Sequence, residues 1–229
     1  MIYQRHQGLL FVDMDYASLK QRQRAERDGW PFNLGLRVHR ALSWLNRAEQ
    51  CEDDDGRFIF LWIAFNAAYA NDIGDRERDP EQKVFHRFLK KLGDLDSEDV
   101  LYTLIWREFP SSIRVLLDNR FVYQPFWDYH NGLIDEDRWQ RKFAGAKAAA
   151  HRALASHHTT TVLGIVLSRM YTLRNQLVHG GATWNGSVNR DQLRDCSAFL
   201  GKLVPFVITL MMDHPETLWG DACYPVVEA

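Results

Sequence analysis

The sequence predicts an all-α fold, one helical-bundle domain of about seven to eight helices, on three observations. Apolar residues recur at three- and four-residue spacing through most of the chain. Glycine, proline and small polar residues punctuate these stretches where helices start and stop. No run alternates apolar and polar residues with the period of two that a half-buried strand requires.

The elements follow in order. Positions 15–27 carry Lys20, Arg22, Arg24 and Arg27 with few apolar residues. They read as an exposed basic helix or arm, ended by Gly29-Trp30-Pro31. Residues 32–49 place apolar side chains at 34, 38, 41, 42 and 45, a helical stripe. Asp53-Asp54-Asp55 forms an acidic turn ahead of the next helix, where carboxylates favour the positive end of the dipole. As metal ligands they fit less well, because consecutive side chains point apart.

Residues 57–71 are apolar nearly all round from Phe58 to Phe65, which suits a central buried helix. A buried strand competes for 58–63, but alanines at 64, 67, 68 and 70 extend the run past strand length. Asp72 to Asp79 reads as a polar loop, Pro80 as the opening of a helix that stops at Gly93, and Ser97 as the cap of the next. Pro110 breaks the chain, and Ser111-Ser112 can cap residues 113–117.

Residues 119–132 are irregular and rich in rings: Phe121, Tyr123, Phe126, Trp127 and Tyr129. Two readings stay open there, a platform for stacked bases and a layer packed over the core. Residues 135–156 form a helix with an acidic start and a basic middle, and residues 159–178 form a long one, stopped by Gly180-Gly181. Asn189 caps a last helix to about Met212, with Pro205 inside it.

The organisation that results is a basic arm (1–31), a helical domain (32–213) with an insert near 94–155, and a tail (214–229). The chain has 229 residues, 46% hydrophobic, enough for a sizeable core. Basic and acidic residues number 28 and 30, so any nucleic-acid contact must come from a local patch. The apolar runs 58–65 and 199–212 fall short of the roughly 20 residues that span a bilayer. Neither these runs nor Leu9 to Val12, too short for a signal sequence, points to a membrane. Cys51, Cys196 and Cys223 lie far apart and read as reduced thiols. A cytoplasmic protein without metal or cofactor is the expectation. His151, His157 and His158 read as a surface cluster rather than a metal site.

The segment that carries chemistry is Arg174-Asn175-Gln176-Leu177-Val178-His179. Five residues turn a helix by roughly 140°, so Arg174 and His179 do not share a stripe, whereas Asn175 and His179 stand only about 40° apart. His179 falls in the last turn, where the dipole favours a cation and an imidazole exchanges protons near neutral pH. Arg174 is a permanent cation that grips phosphate bidentately. Asn175 can hold the imidazole or a substrate hydroxyl. These residue types suit metal-independent RNA cleavage, with His as general acid and base and Arg opposite the phosphoryl oxygens. Pattern alone leaves a second reading open, a histidine that merely complements the helix end.

The string Arg174 to Gly180 resembles the Arg, four to six residues, His motif of the HEPN superfamily. Residues 61–69 resemble the hydrophobic second core helix of its Apea-like members, and residues 40–48 the helix before it. The resemblance spans about residues 32 to 212. It implies an all-α core that dimerises and acts as a metal-independent ribonuclease in toxin–antitoxin or phage defence. Arg174 and His179 are then catalytic, with Asn175 the polar residue between them. RNA, a second copy, and an antitoxin or defence protein are the implied partners. The alternative is a catalytically silent HEPN-like module that binds RNA or protein. Gly181 stands where some toxins of this kind carry a tyrosine.

Overall fold

The computed structural model describes residues 14–69 and 81–222. The expected loop at 72–79, Pro80, Cys223 and the last residues lie outside them. The described chain is all-α, without a strand. Its helices are α1 (Tyr16–Glu26), α2 (Phe32–Glu49), α3 (Asp54–Tyr69), α4 (Glu81–Leu95), α5 (Val100–Thr103), α6 (Pro110–Asp118), α7 (Gln124–His130), α8 (Glu136–Ala155), α9 (Thr159–Val178) and α10 (Arg190–Asp213). The chain divides into two compact units, residues 1–100 with 197–229, and residues 101–196.

In the first unit α2 and α3 form the principal pair. Leu34, Val38, Ala41, Leu42 and Leu45 are all buried on α2. Their spacing is the one the sequence displays. The turn between the two helices is short, which makes them antiparallel neighbours. Asp53 closes it, its carboxylate accepting from the Gly56 N–H at 2.8 Å. The helical alternative for 58–63 therefore prevails over the strand, with Phe58, Leu61, Trp62, Ala64 and Phe65 buried.

Arg37, on the buried face of α2, has no solvent exposure. Its Nη1 donates to the Ala68 carbonyl at 2.8 Å, its Nε to Gly220 at 3.2 Å and its Nη2 to the Asp221 carbonyl. Together with the Asn33 amide on the Asp221 carboxylate at 2.6 Å and Lys91 on the Leu218 carbonyl, it pins residues 218–221 in place. Residues 214–222, expected as part of a tail, are thus held by backbone acceptors no spacing rule reveals.

Two boundaries differ from expectation. Helix α4 runs through Gly93 to Leu95. A glycine is tolerated inside a helix whose apolar face is anchored, as here by the buried Phe88, Leu89 and Leu92. Ser97 is not a cap. The Asp96 carboxylate accepts from the Val100 N–H at 2.9 Å instead. Helix α10 passes through Pro205 and is long and apolar enough to cross a membrane, yet 72% of its apolar window is buried in the protein, as in a core helix. Cys51 and Cys196 are free thiols.

The second unit is built around α9, whose Val162, Leu163, Val166, Leu167, Met170 and Leu173 are buried. Helices α6 and α8 and a 3-10 turn at Arg120–Val122 pack against it. A π-helical turn, Leu104–Glu108, precedes α6, which opens on Pro110 as its first residue. Proline fits there because its missing N–H has no partner to lose. Asp135 caps α8 by accepting from the Arg138 N–H at 2.7 Å.

The ring-rich segment 119–132 is ordered, with α7 inside it. Phe126 packs edge-on against Phe121 at 5.3 Å and against Trp139 of α8 at 5.2 Å. Phe126 and Trp139 are buried. For Phe126 the packed-layer reading holds.

Candidate active site at the end of the motif helix

Helix α9 starts and ends where the sequence places it, and its last turn carries the motif. Buried residues stop at Leu173, and from Arg174 the helix rises out of the core. Arg174 and Asn175 are half-buried, and Val178 and His179 are exposed.

The Arg174 guanidinium donates through Nη1 to the Asn175 Oδ1 at 3.0 Å. That bond uses the Asn175 oxygen and steadies the arginine. The Asn175 side chain thus holds the guanidinium and not the imidazole, and its main-chain carbonyl accepts from the His179 N–H at 3.0 Å, an ordinary helical bond. His179 is the C-terminal cap of α9, with φ −93° and ψ 11°. Its ring makes no hydrogen bond or ion pair with any described residue, so it is free to meet a ligand.

The chain leaves the helix through Gly180 at φ +71°, a left-handed step that a side chain would strain. The Ala182 N–H then donates to the Gln176 carbonyl at 3.1 Å, which closes the helix end.

Gln176, inside the motif, does the holding that spacing does not announce. Its Nε2 donates to the Phe121 carbonyl. Its Oε1 accepts from Asn189 Nδ2 at 3.2 Å. Asn189 Oδ1 accepts from Asn119 Nδ2 at 3.3 Å, and Asn119 Oδ1 accepts from the Phe121 N–H at 2.8 Å. The four bonds form a closed circuit that ties the motif turn to the 119–121 segment and to the start of α10. Asn189, expected to cap α10, sits before it at φ +57° and spends its side chain on this circuit. The partners of Gln176 lie 55 and 13 residues away, so nothing local in the sequence signals them.

The remaining candidates separate. His151 stands 3.7 Å from Asp118, and His157 stacks against Tyr102 and Trp106 at 5.7 and 5.2 Å. His151 and His157 therefore have different neighbours. No group of three or more His, Cys, Asp or Glu among the described residues could hold a metal ion. Of the basic residues on α1, Arg22 is paired with Glu26 and Asp213. On α8, Lys147 pairs with Asp118 at 2.9 Å, while Arg138, Arg141 and Lys142 are exposed.

Compared with family models, with curated proteins and with solved structures, the chain has no match.

Proposed function

We propose that the protein is a metal-independent endoribonuclease of the HEPN type, acting in the cytoplasm as a homodimer in defence or toxin–antitoxin growth arrest. The observation that carries the reading is the exposed, unengaged imidazole of His179 on the same helix end as a half-buried Arg174 steadied by Asn175. A proton-transfer group must be accessible. A phosphate clamp works best when held in place beforehand.

In this reading His179 takes the proton of an RNA 2′-hydroxyl as that oxygen attacks the adjacent phosphorus. The bond from phosphorus to the 5′-oxygen breaks, and an imidazolium returns a proton to the leaving oxygen. Arg174 stabilises the charge on the non-bridging oxygens. The products are a 2′,3′-cyclic phosphate and a 5′-hydroxyl. A two-fold dimer supplies the second imidazole and guanidinium that one chain lacks.

The test is cleavage of cellular RNA in EDTA, which silences contaminating metal-dependent nucleases, by the native protein and by His179→Ala. The reading expects cleavage that survives EDTA and falls about 100-fold or more in the variant, the usual worth of a general acid or base. A second reading, a silent module that binds RNA or protein, is favoured by exposed apolar residues in and after the motif: Val178, Trp184 and Val188 are 48%, 75% and 74% exposed. A folded dimer that binds RNA but leaves it intact would support that reading and overturn the first.

A further inference from the structure

The second unit holds a surface pocket of about 450 Å³. That is within the range of small-ligand sites, about 300–1,000 Å³. Two of the residues that line it, Phe121 and Asn189, are the hydrogen-bond partners of Gln176, which stands inside the motif. Gln176 and His179 are three residues apart at the end of α9, so their Cβ atoms stand about 5–6 Å from each other. A single side chain, that of Gln176, thus links the pocket wall to the turn that carries the imidazole.

The lining combines rings with carboxamides. The rings are Phe121, 38% exposed, and Phe143. The carboxamides are Asn119, Asn189 and Gln192. Asn119 and Asn189 belong to the amide circuit, which fixes them in place. Gln192, half-buried in the first turn of α10, makes no hydrogen bond with any described residue. The lining has one cation, Arg120, and one carboxylate, Asp118, so it offers no net charge to a ligand. A neutral molecule with flat apolar faces and a hydrogen-bonding edge matches these groups. A nucleobase is such a molecule. Its faces stack on aromatic side chains, and its edge sets donors beside acceptors, which one carboxamide can meet at two points.

We propose that this pocket takes one unpaired nucleobase of an RNA strand, its ring against Phe121 and Phe143 and its edge on the Gln192 amide. The position of that base next to the cleaved bond rests on the ribonuclease reading; the chemistry of the pocket does not. The substrate is then single-stranded RNA, because a base in a duplex has its faces and pairing edge already occupied. Cleavage preference comes from the base in the pocket, while Arg174 and His179 act on a phosphate and sugar that every nucleotide shares.

The experiment has two arms. In the first, full-length His179→Ala is titrated with labelled short single strands of A, C or U and with an abasic strand of the same length, read by fluorescence anisotropy. At least one base sequence should bind about tenfold more tightly than the abasic strand, the worth of one stacked base, and annealing its complement should remove the gain. Gln192→Leu and Phe121→Leu, both at partly exposed side chains, should each lose most of that gain and melt close to the parent. In the second arm, the ends left by the native protein on mixed RNA are sequenced. One base should be enriched beside the cut, and Gln192→Leu should lower that enrichment about tenfold, as loss of a bidentate base contact implies. Base-dependent binding without any cleavage would support the pocket and sink the ribonuclease reading. Cleavage with equal binding of base-bearing and abasic strands would do the reverse. A gain over the abasic strand, or a base preference, that both variants retain in full would also overturn the proposal.

Discussion

Arg37 and Arg169 are both buried guanidiniums on long helices, 0% and 4% exposed, and they have opposite surroundings. Arg37 donates to three main-chain carbonyls, and in doing so fastens residues 220 and 221 and the end of α3 to α2. Arg169 lies against ring faces, and its Nε is sealed with no hydrogen-bond partner among the described residues. A buried charge whose donors are all used is part of the framework. One held against ring faces instead has only part of the cost of its burial offset.

The contrast breaks most visibly at Arg37. Arg37→Met should cost about 3 kcal/mol or more, because carbonyls that lose their donor stay buried. Urea unfolding would show it, and a variant as stable as the native protein would mean those hydrogen bonds contribute nothing. Gln176→Leu comes next, at about 1–2 kcal/mol, since it opens the amide circuit and strands the Asn189 donor. The same variant should lower RNA cleavage by loosening the motif turn, a link that vanishes if activity is unchanged. Arg169→Met is the counterpart of Arg37→Met and should lie within about 1 kcal/mol of the native protein or above it, as replacements of poorly matched buried charges do.

The smallest effect concerns His39, in the first unit. Burial, then the nearby Lys20, Arg27 and Arg40, hold its pKa below the ordinary 6.5. The unfolded chain therefore binds a proton there before the native one does. Stability from this site is present above pH 6.5 and declines as pH falls from 6.5 toward the lowered value. His39→Gln should flatten the fall in melting temperature over that window by a small amount, since the group is largely solvated. An unchanged pH profile would remove His39 as a contributor.

The contrast also marks what could be read from the chain. Helix α9 was legible to the residue, because an apolar stripe running from 162 to 177 ends at two glycines suited to stop it. Helix α2 was legible for the same reason of period, and α3 because its alanines carry the apolar run past strand length. The motif residues Arg174, Asn175 and His179 were visible as residue types with a known spacing. Gln176 and Arg169 were not, because their meaning lies in partners contributed by distant segments: Asn119, Phe121 and Asn189 for one, Tyr123 and Phe143 for the other. The short helix α7 also escaped, since its seven residues are too few to show a period.

The most direct test of the account is the chemistry of the ends left on RNA. The native protein in EDTA should leave 2′,3′-cyclic phosphates and 5′-hydroxyls, and His179→Ala and Arg174→Ala should leave almost none. Products ending in 3′-hydroxyl and 5′-phosphate, or cyclic phosphates formed equally by the variants, would contradict the assignment of Arg174 and His179.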